Sequence, residues 1–130
     1  MKITIDTSAL IAVITNESSK NRIIQLTTDT QLYSPMSVHW EIGNAFSAMI
    51  KRKRILLSQA KEAVDEYNKI PIKFIDVELN ATLEIVEHLQ IYAYDAYLIK
   101  CSQLTNSPLL TLDQGLIRVA NLLGIKILEV

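Results

Sequence analysis

Apolar and polar positions along this chain follow two periods, and the switch from one to the other recurs. Residues 2–5, "KITI", form a short apolar strand that ends at Asp6, after which "TSALIAVI" takes up a helical pattern with Thr7 or Ser8 placed to cap it. A second helix is predicted near residues 18–27, then a strand at 31–34 ended by Pro35. Ser37 is placed to cap the helix "SVHWEIGNAFSAMIKRKR", whose apolar stripe of Val38, Ile42, Ala45, Phe46 and Met49 contains one acid, Glu41. A helix at 58–70 stops before Pro71, "IKFIDV" reads as a strand and "ELNATLEIVEHL" as a helix. Residues 91–104, "IYAYDAYLIKCSQL", form an apolar helix that turns a single carboxylate, Asp95, onto the face of Ile91, Leu98 and Ile99. Finally "PLLTL" at 108–112 is a strand ending at Asp113, "DQGLIRVANLL" is a helix with Gly124 as its stop, and "IKILEV" is a last strand.

Strands that alternate with helices and are too apolar to have a wet face predict an α/β fold: one domain over residues 1–130, with a parallel five-stranded sheet sandwiched between helices. In such sheets ligands bind beyond the carboxyl ends of the strands, where Asp6 and Asp113 both fall. A chain of 130 residues, 49% hydrophobic and 21% charged, is of the right size and composition for one core. The opening segment is interrupted by Asp6, has no cleavage pattern, and no span of about 20 apolar residues follows, so a soluble, cytoplasmic protein with no membrane role is expected. The single cysteine, Cys101, excludes an internal disulfide and falls on an apolar helical face, where it is expected to fill the core. A net charge of −1 supplies no general attraction to phosphate.

Most of the fourteen acidic residues lie on polar helix faces or in loops, and Asp76 suits a turn or helix entry. Asp6, Glu41, Asp95 and Asp113 differ, because each sits at a strand end or inside an apolar stripe. Each also has a purely structural account: Asp6 and Asp113 can cap the helices that follow, and Glu41 and Asp95 can pair with Lys or Arg. If the four converge, each pair about 5 Å apart repels by roughly 3 kcal/mol at an effective dielectric of 20, and a divalent cation is the natural neutraliser. An all-carboxylate donor set, with His39 and His88 in unrelated positions, favours Mg²⁺ or Mn²⁺ over zinc or copper. Such a cluster is a device for phosphodiester hydrolysis.

The fragments "IDTSALI", "HWEIGNAF", "YAYDAYLI" and "LLTLDQGL" occur in that order along the whole chain. In this the chain resembles the PIN-domain nucleases, and in particular the short VapC-like toxins of bacterial and archaeal toxin–antitoxin pairs. The resemblance implies an endoribonuclease that uses Mg²⁺ or Mn²⁺, with Asp6, Glu41, Asp95 and Asp113 as its catalytic, metal-binding quartet. It also implies that Asp6 and Asp95 ligate the metal directly while the other two complete or water-bridge the site. The partners it implies are an RNA substrate, a small antitoxin protein and a second copy of the chain in a homodimer. Thr7, Ser8 and Thr111 are supporting candidates, with capping and turn roles as equally good accounts. The run "KRKR" at 51–54 either guides phosphate or is a solvated helix end. Trp40, Tyr92, Tyr94 and Tyr97 either stack on bases or belong to the core or a dimer interface. The competing functions are a solitary PIN nuclease in RNA processing or on structured DNA, and a catalytically silent PIN-like binding module. A phosphoacceptor receiver also has five strands and clustered acids, but it wants adjacent acids after the first strand and a Lys after the last; here Asp6 stands alone and Lys126 lies within the final strand.

Overall fold

A computed structural model describes all residues, 1–130. Four parallel strands, β1 (Lys2–Ile5), β2 (Gln31–Pro35), β3 (Ile72–Ile75) and β4 (Leu109–Leu110), form one sheet in the order β3-β2-β1-β4. Seven helices connect them: α1 (Thr7–Ile14) and α2 (Lys20–Thr27) after β1, α3 (Ser37–Lys51) and α4 (Leu57–Lys69) after β2, α5 (Leu79–Leu89) and α6 (Ala93–Thr105) after β3, and α7 (Gln114–Leu122) after β4. Right-handed crossovers carry the first two connections to one face of the sheet and the third, which runs back past β1, to the other. Accordingly α1 packs on α2, α3 and α4, while α6 packs on β1, β2 and α5. The strand order reverses between β1 and β4, and Asp6 and Asp113 lie just beyond those two strands.

The sheet has four strands and not the expected five. "IKILEV" runs beside β4, donating from Leu128 N to Leu109 O (3.0 Å) and accepting from Leu109 N at Lys126 O (2.8 Å), but β4 is only two residues long and the pairing closes as a single bridge, Leu109 with Ile127. Two caps also differ from expectation. Asp6, not Thr7 or Ser8, caps α1, and Met36 occupies the cap of α3, so that Ser37 lies inside the helix with its hydroxyl buried and without a partner.

Central strand β1 is buried at Ile3, Thr4 and Ile5, which belong with Leu10, Ile99, Leu109, Leu110 and Leu116 to one continuous core. Its one buried polar residue is satisfied: Thr4 Oγ1 lies 2.7 Å from Ser107 Oγ and also donates to Cys101 Sγ. Cys101 is fully buried, and burial pushes its thiol up to about 11, so it fills the core as an inert group. No helix is long and apolar enough to cross a membrane.

Candidate active site

Beyond the β1–β4 switch point lies a cleft of about 670 Å³, lined by thirteen residues that include Asp6, Glu41, Asp95 and Asp113. All four acids singled out from the sequence therefore meet in one place, delivered by two strand ends and two helices. Asp6 leaves β1 in extended conformation and caps α1, accepting from Ala9 N at 3.0 Å. Its carboxylate is clamped further by Ser8 Oγ, which donates to Oδ1 at 2.7 Å, and by the Thr111 hydroxyl at Oδ2. Ser8 Oγ in turn accepts from Leu112 N at 2.9 Å, and Thr111 Oγ1 accepts from Asp113 N at 3.0 Å, so the two strand ends are stitched together through Asp6. Asp113 caps α7, accepting from Gly115 N (2.8 Å) and Leu116 N (3.3 Å). Gly115 allows this close approach: a Cβ there would stand 3.2 Å from Asp113 Oδ1.

The helical acids have no such ties. The one ion pair in the molecule is Lys69 with Glu66, so neither Glu41 nor Asp95 pairs with a cation. Glu41 Oε1 is buried without a hydrogen-bond partner, as is Thr7 Oγ1, which faces Glu41 without reaching it in bonding geometry. Burial pushes the Glu41 carboxyl up to about 7; Thr7 draws it down, and the charges of Asp6, Asp95 and Asp113 add to the rise. Burial also raises Asp6, against the lowering donation from Thr111, Ala9 and Ser8, and raises Asp95, where the Asp113 charge contributes. Burial is the larger cause in each case and repulsion adds to it, and the gathering of such raised acids in a cleft makes it the candidate site.

Not one Lys or Arg lines the cleft. The basic run at 51–54 is exposed at the end of α3 and none of it lines the acidic cleft; its Arg54 lines a different, larger groove of about 1160 Å³ between α1, α2 and α4. That groove mixes Lys20, Arg54 and Lys69 with Asp29, Glu62, Asp65 and Glu66, so its acids share it with cations, whereas the four acids of the smaller cleft have none; this makes the smaller cleft the better site. Among the aromatics, Trp40 and Tyr94 line the acidic cleft, whereas Tyr92 points to solvent and Tyr97 packs edge-to-face on Tyr94. Sequence reasoning overlooked Asn44, whose i+3 spacing from Glu41 on α3 brings it into the same cleft.

This chain matches the PIN domain over residues 3–122. It belongs to the PIN-domain family. PIN domains are generally nucleases that use divalent metal ions. No curated protein matches the chain. Among solved structures, this PIN domain is similar to PAE2754 from Pyrobaculum aerophilum (TM-score 0.73, 18% identity, 92% of this chain and 79% of that one). It is similar also to VapBC2 from Rickettsia felis bound to a DNA fragment from their promoter (0.67, 18%, 99% and 98%). A third likeness is to a domain of a functionally unknown protein from Methanocaldococcus jannaschii (0.51, 25%, 99% and 91%).

The donor set of this PIN domain fits a hard divalent ion. It offers oxygen donors and no His or Cys, with four carboxylates among them, one of whose oxygens, Glu41 Oε1, is buried and unpartnered. No three of its His, Cys, Asp or Glu side chains form a ready-made metal cage.

Proposed function

We propose that this PIN domain is a divalent-metal-dependent endoribonuclease that hydrolyses RNA phosphodiester bonds, and that it is the toxin of a VapBC-type toxin–antitoxin pair. The observation that carries the nuclease reading is the convergence of four carboxylates, mutually repelling and without a cation, on the topological switch point of the sheet. Asp6, Glu41, Asp95 and Asp113 are the residues that would hold Mg²⁺ or Mn²⁺. An ion held there supplies water activation and Lewis acidity for phosphodiester hydrolysis. The chain's own part is positioning. Ser8, Thr111 and the α1 N-terminus fix the Asp6 carboxylate in one orientation, and the α7 N-terminus does the same for Asp113. Glu41, raised to about 7 chiefly by burial, is partly protonated near neutrality.

Support for the toxin role and its antitoxin is the near full-length fold similarity to VapBC2 of Rickettsia felis. Support for a homodimer is the pair Leu79 and Leu83, exposed one turn apart on α5, with Leu104 exposed on α6. Incubating total RNA with the protein in Mg²⁺, Mn²⁺ or chelator, and mapping the cut ends, tests the activity: metal-dependent internal cuts are expected, and intact RNA in all three conditions overturns it. Light scattering tests assembly, where a mass of 14.7 kDa at every concentration refutes the dimer. Gene neighbourhood tests the toxin role: a small open reading frame beside this one, whose co-expressed product forms a complex in which cleavage is suppressed, is the expected result.

A further inference from the structure

The acidic cleft has a composition unusual for a surface that meets nucleic acid. Phosphate finds no Lys or Arg among its thirteen lining residues. Instead the cleft carries two large exposed rings, Trp40 at 63% exposure and Tyr94 at 53%. Each ring immediately precedes one of the helical acids, Trp40 before Glu41 on α3 and Tyr94 before Asp95 on α6. Successive side chains on a helix diverge by about 100°, so the acid is turned inward while its neighbour stays at the mouth.

Both rings are held in place. Trp40 packs perpendicular to His39 at 4.9 Å, and His39 Nδ1 lies 3.2 Å from the Tyr67 hydroxyl. Tyr94 packs perpendicular to Tyr97 at 6.0 Å. Rings that are already ordered present their faces to a ligand at little entropic cost. Asn44 adds a side-chain amide in the same cleft, suited to a base edge.

We propose that Trp40 and Tyr94 are stacking platforms for the bases on the strand being cut, and that they restrict the cleft to unpaired nucleotides. The assignment rests on the nuclease reading above. A base inside a duplex is already stacked on both faces by its neighbours, whereas an unpaired base offers a free face to an aromatic ring. With no basic side chain in the cleft, ground-state affinity comes from stacking and from the cation held by the acids, so it depends only weakly on salt. A protein occupant would have to bring its own Lys or Arg to offset the four like charges. Trp40 does also line a small apolar pocket of about 300 Å³ with Met36, Tyr67 and Phe74, which makes a protein interface the competing outcome.

Trp40 is the only tryptophan, so intrinsic emission reports on this one position. The full chain is titrated in Mg²⁺ with a short unpaired oligoribonucleotide and with the same sequence as a duplex, read before turnover. Unpaired RNA is expected to quench the emission and the duplex to leave it unchanged. Tyr94→Ala should weaken binding about tenfold, and Trp40→Ala should raise KM about tenfold with kcat within about twofold, most of it recovered in Trp40→Phe. The Mg²⁺-induced rise in melting temperature should be the same in all three variants, which separates loss of stacking from loss of fold or metal. Equal quenching by duplex, wild-type KM in both alanine variants, or emission that follows protein concentration rather than RNA overturns the proposal and leaves the nuclease reading standing. Quenching by unpaired RNA without cleavage in any metal does the reverse.

Discussion

Two strand ends and two helical walls contribute one pair of acids each to the same cleft, and they treat the charge in opposite ways. Asp6 and Asp113 are tied into the scaffold as helix caps, accepting from Ala9 N, Ser8 and Thr111 in one case and from Gly115 N and Leu116 N in the other. Glu41 and Asp95 have no ion pair, and Glu41 Oε1 is buried with no partner at all. A capped carboxylate contributes to folding whether or not a ligand binds, whereas an untied one only costs stability until a cation arrives. The strand ends thus combine structure with function, and the helical walls hold charge that the fold itself does not use.

The largest expected effect lies on the untied side. Asp95→Asn removes a charge that nothing in the protein compensates, so RNA cleavage should fall by about a thousandfold or more while thermal unfolding of the metal-free protein stays the same or rises slightly. A variant that cleaves at the wild-type rate removes Asp95 from the mechanism. Next in size is the metal itself: Mg²⁺ or Mn²⁺ at a hundredfold excess over its Kd should stabilise the fold by about 2.7 kcal/mol, and calorimetric traces identical to those in chelator would eliminate the site.

On the tied side the cost is structural. Asp6→Ala strips the α1 cap and leaves the Ser8 and Thr111 hydroxyls and the Ala9 N–H without their acceptor, which should destabilise the metal-free protein by about 2 kcal/mol in denaturant titrations. Asp95→Ala in the same assay should cost nothing comparable, and equal losses for the two would erase the distinction between strand end and helical wall.

How much of this was legible in the sequence follows the same division. The junctions at Asp6 and Asp113 were readable because a short apolar run that breaks at an acid and turns helical is a local signal, and the capping account proposed for both holds. The ion-pair account proposed for Glu41 and Asp95 fails, because no Lys or Arg reaches the cleft, and that depends on how distant helices pack. The fifth strand was misjudged because "IKILEV" has strand propensity, yet its partner β4 is too short to extend the ladder. Which of the caps offered at α1 is used was not decidable locally, because Asp6, Thr7 and Ser8 are all good caps and the Thr111 donor that favours Asp6 lies more than a hundred residues away. The same limit hid the division of the aromatics, since helical spacing alone puts Tyr92, Tyr94 and Tyr97 on equal terms.

A pH titration reads the untied pair by a smaller effect. The folded Glu41 carboxyl, near 7, lies above its ordinary 4.5, so the folded protein holds that proton more tightly than the unfolded chain. Its contribution is fully present below about pH 4.5 and is lost as pH rises through 7. Glu41 is only partly buried, and with solvent screening the loss should amount to about 1–2 kcal/mol. The slope should shrink in Glu41→Gln, leaving the part that the raised Asp6 and Asp95 supply, and flatten when Mg²⁺ is present. A metal-free protein whose stability rises steadily from pH 5 to 7 would mean that Glu41 is not the strained acid described here.

The smallest effect on stability is expected where the two roles of a strand-end acid can be pulled apart. Asn caps a helix about as well as Asp, so Asp113→Asn keeps an acceptor for Gly115 N and Leu116 N, and α7 should be retained with stability changed by less than about 0.5 kcal/mol. The negative charge is lost all the same. If Asp113 serves the metal as well as the helix, the Mg²⁺-induced rise in melting temperature should shrink and cleavage should drop, and Asp95 should titrate at lower pH once the neighbouring charge that raises it is gone. Carbon-detected NMR of the Asp95 carboxyl in the metal-free protein can follow that last change directly. An Asp113→Asn variant with a wild-type metal response, wild-type cleavage and an unmoved Asp95 titration would show that this acid is a cap and nothing more, and would reduce the cluster to three.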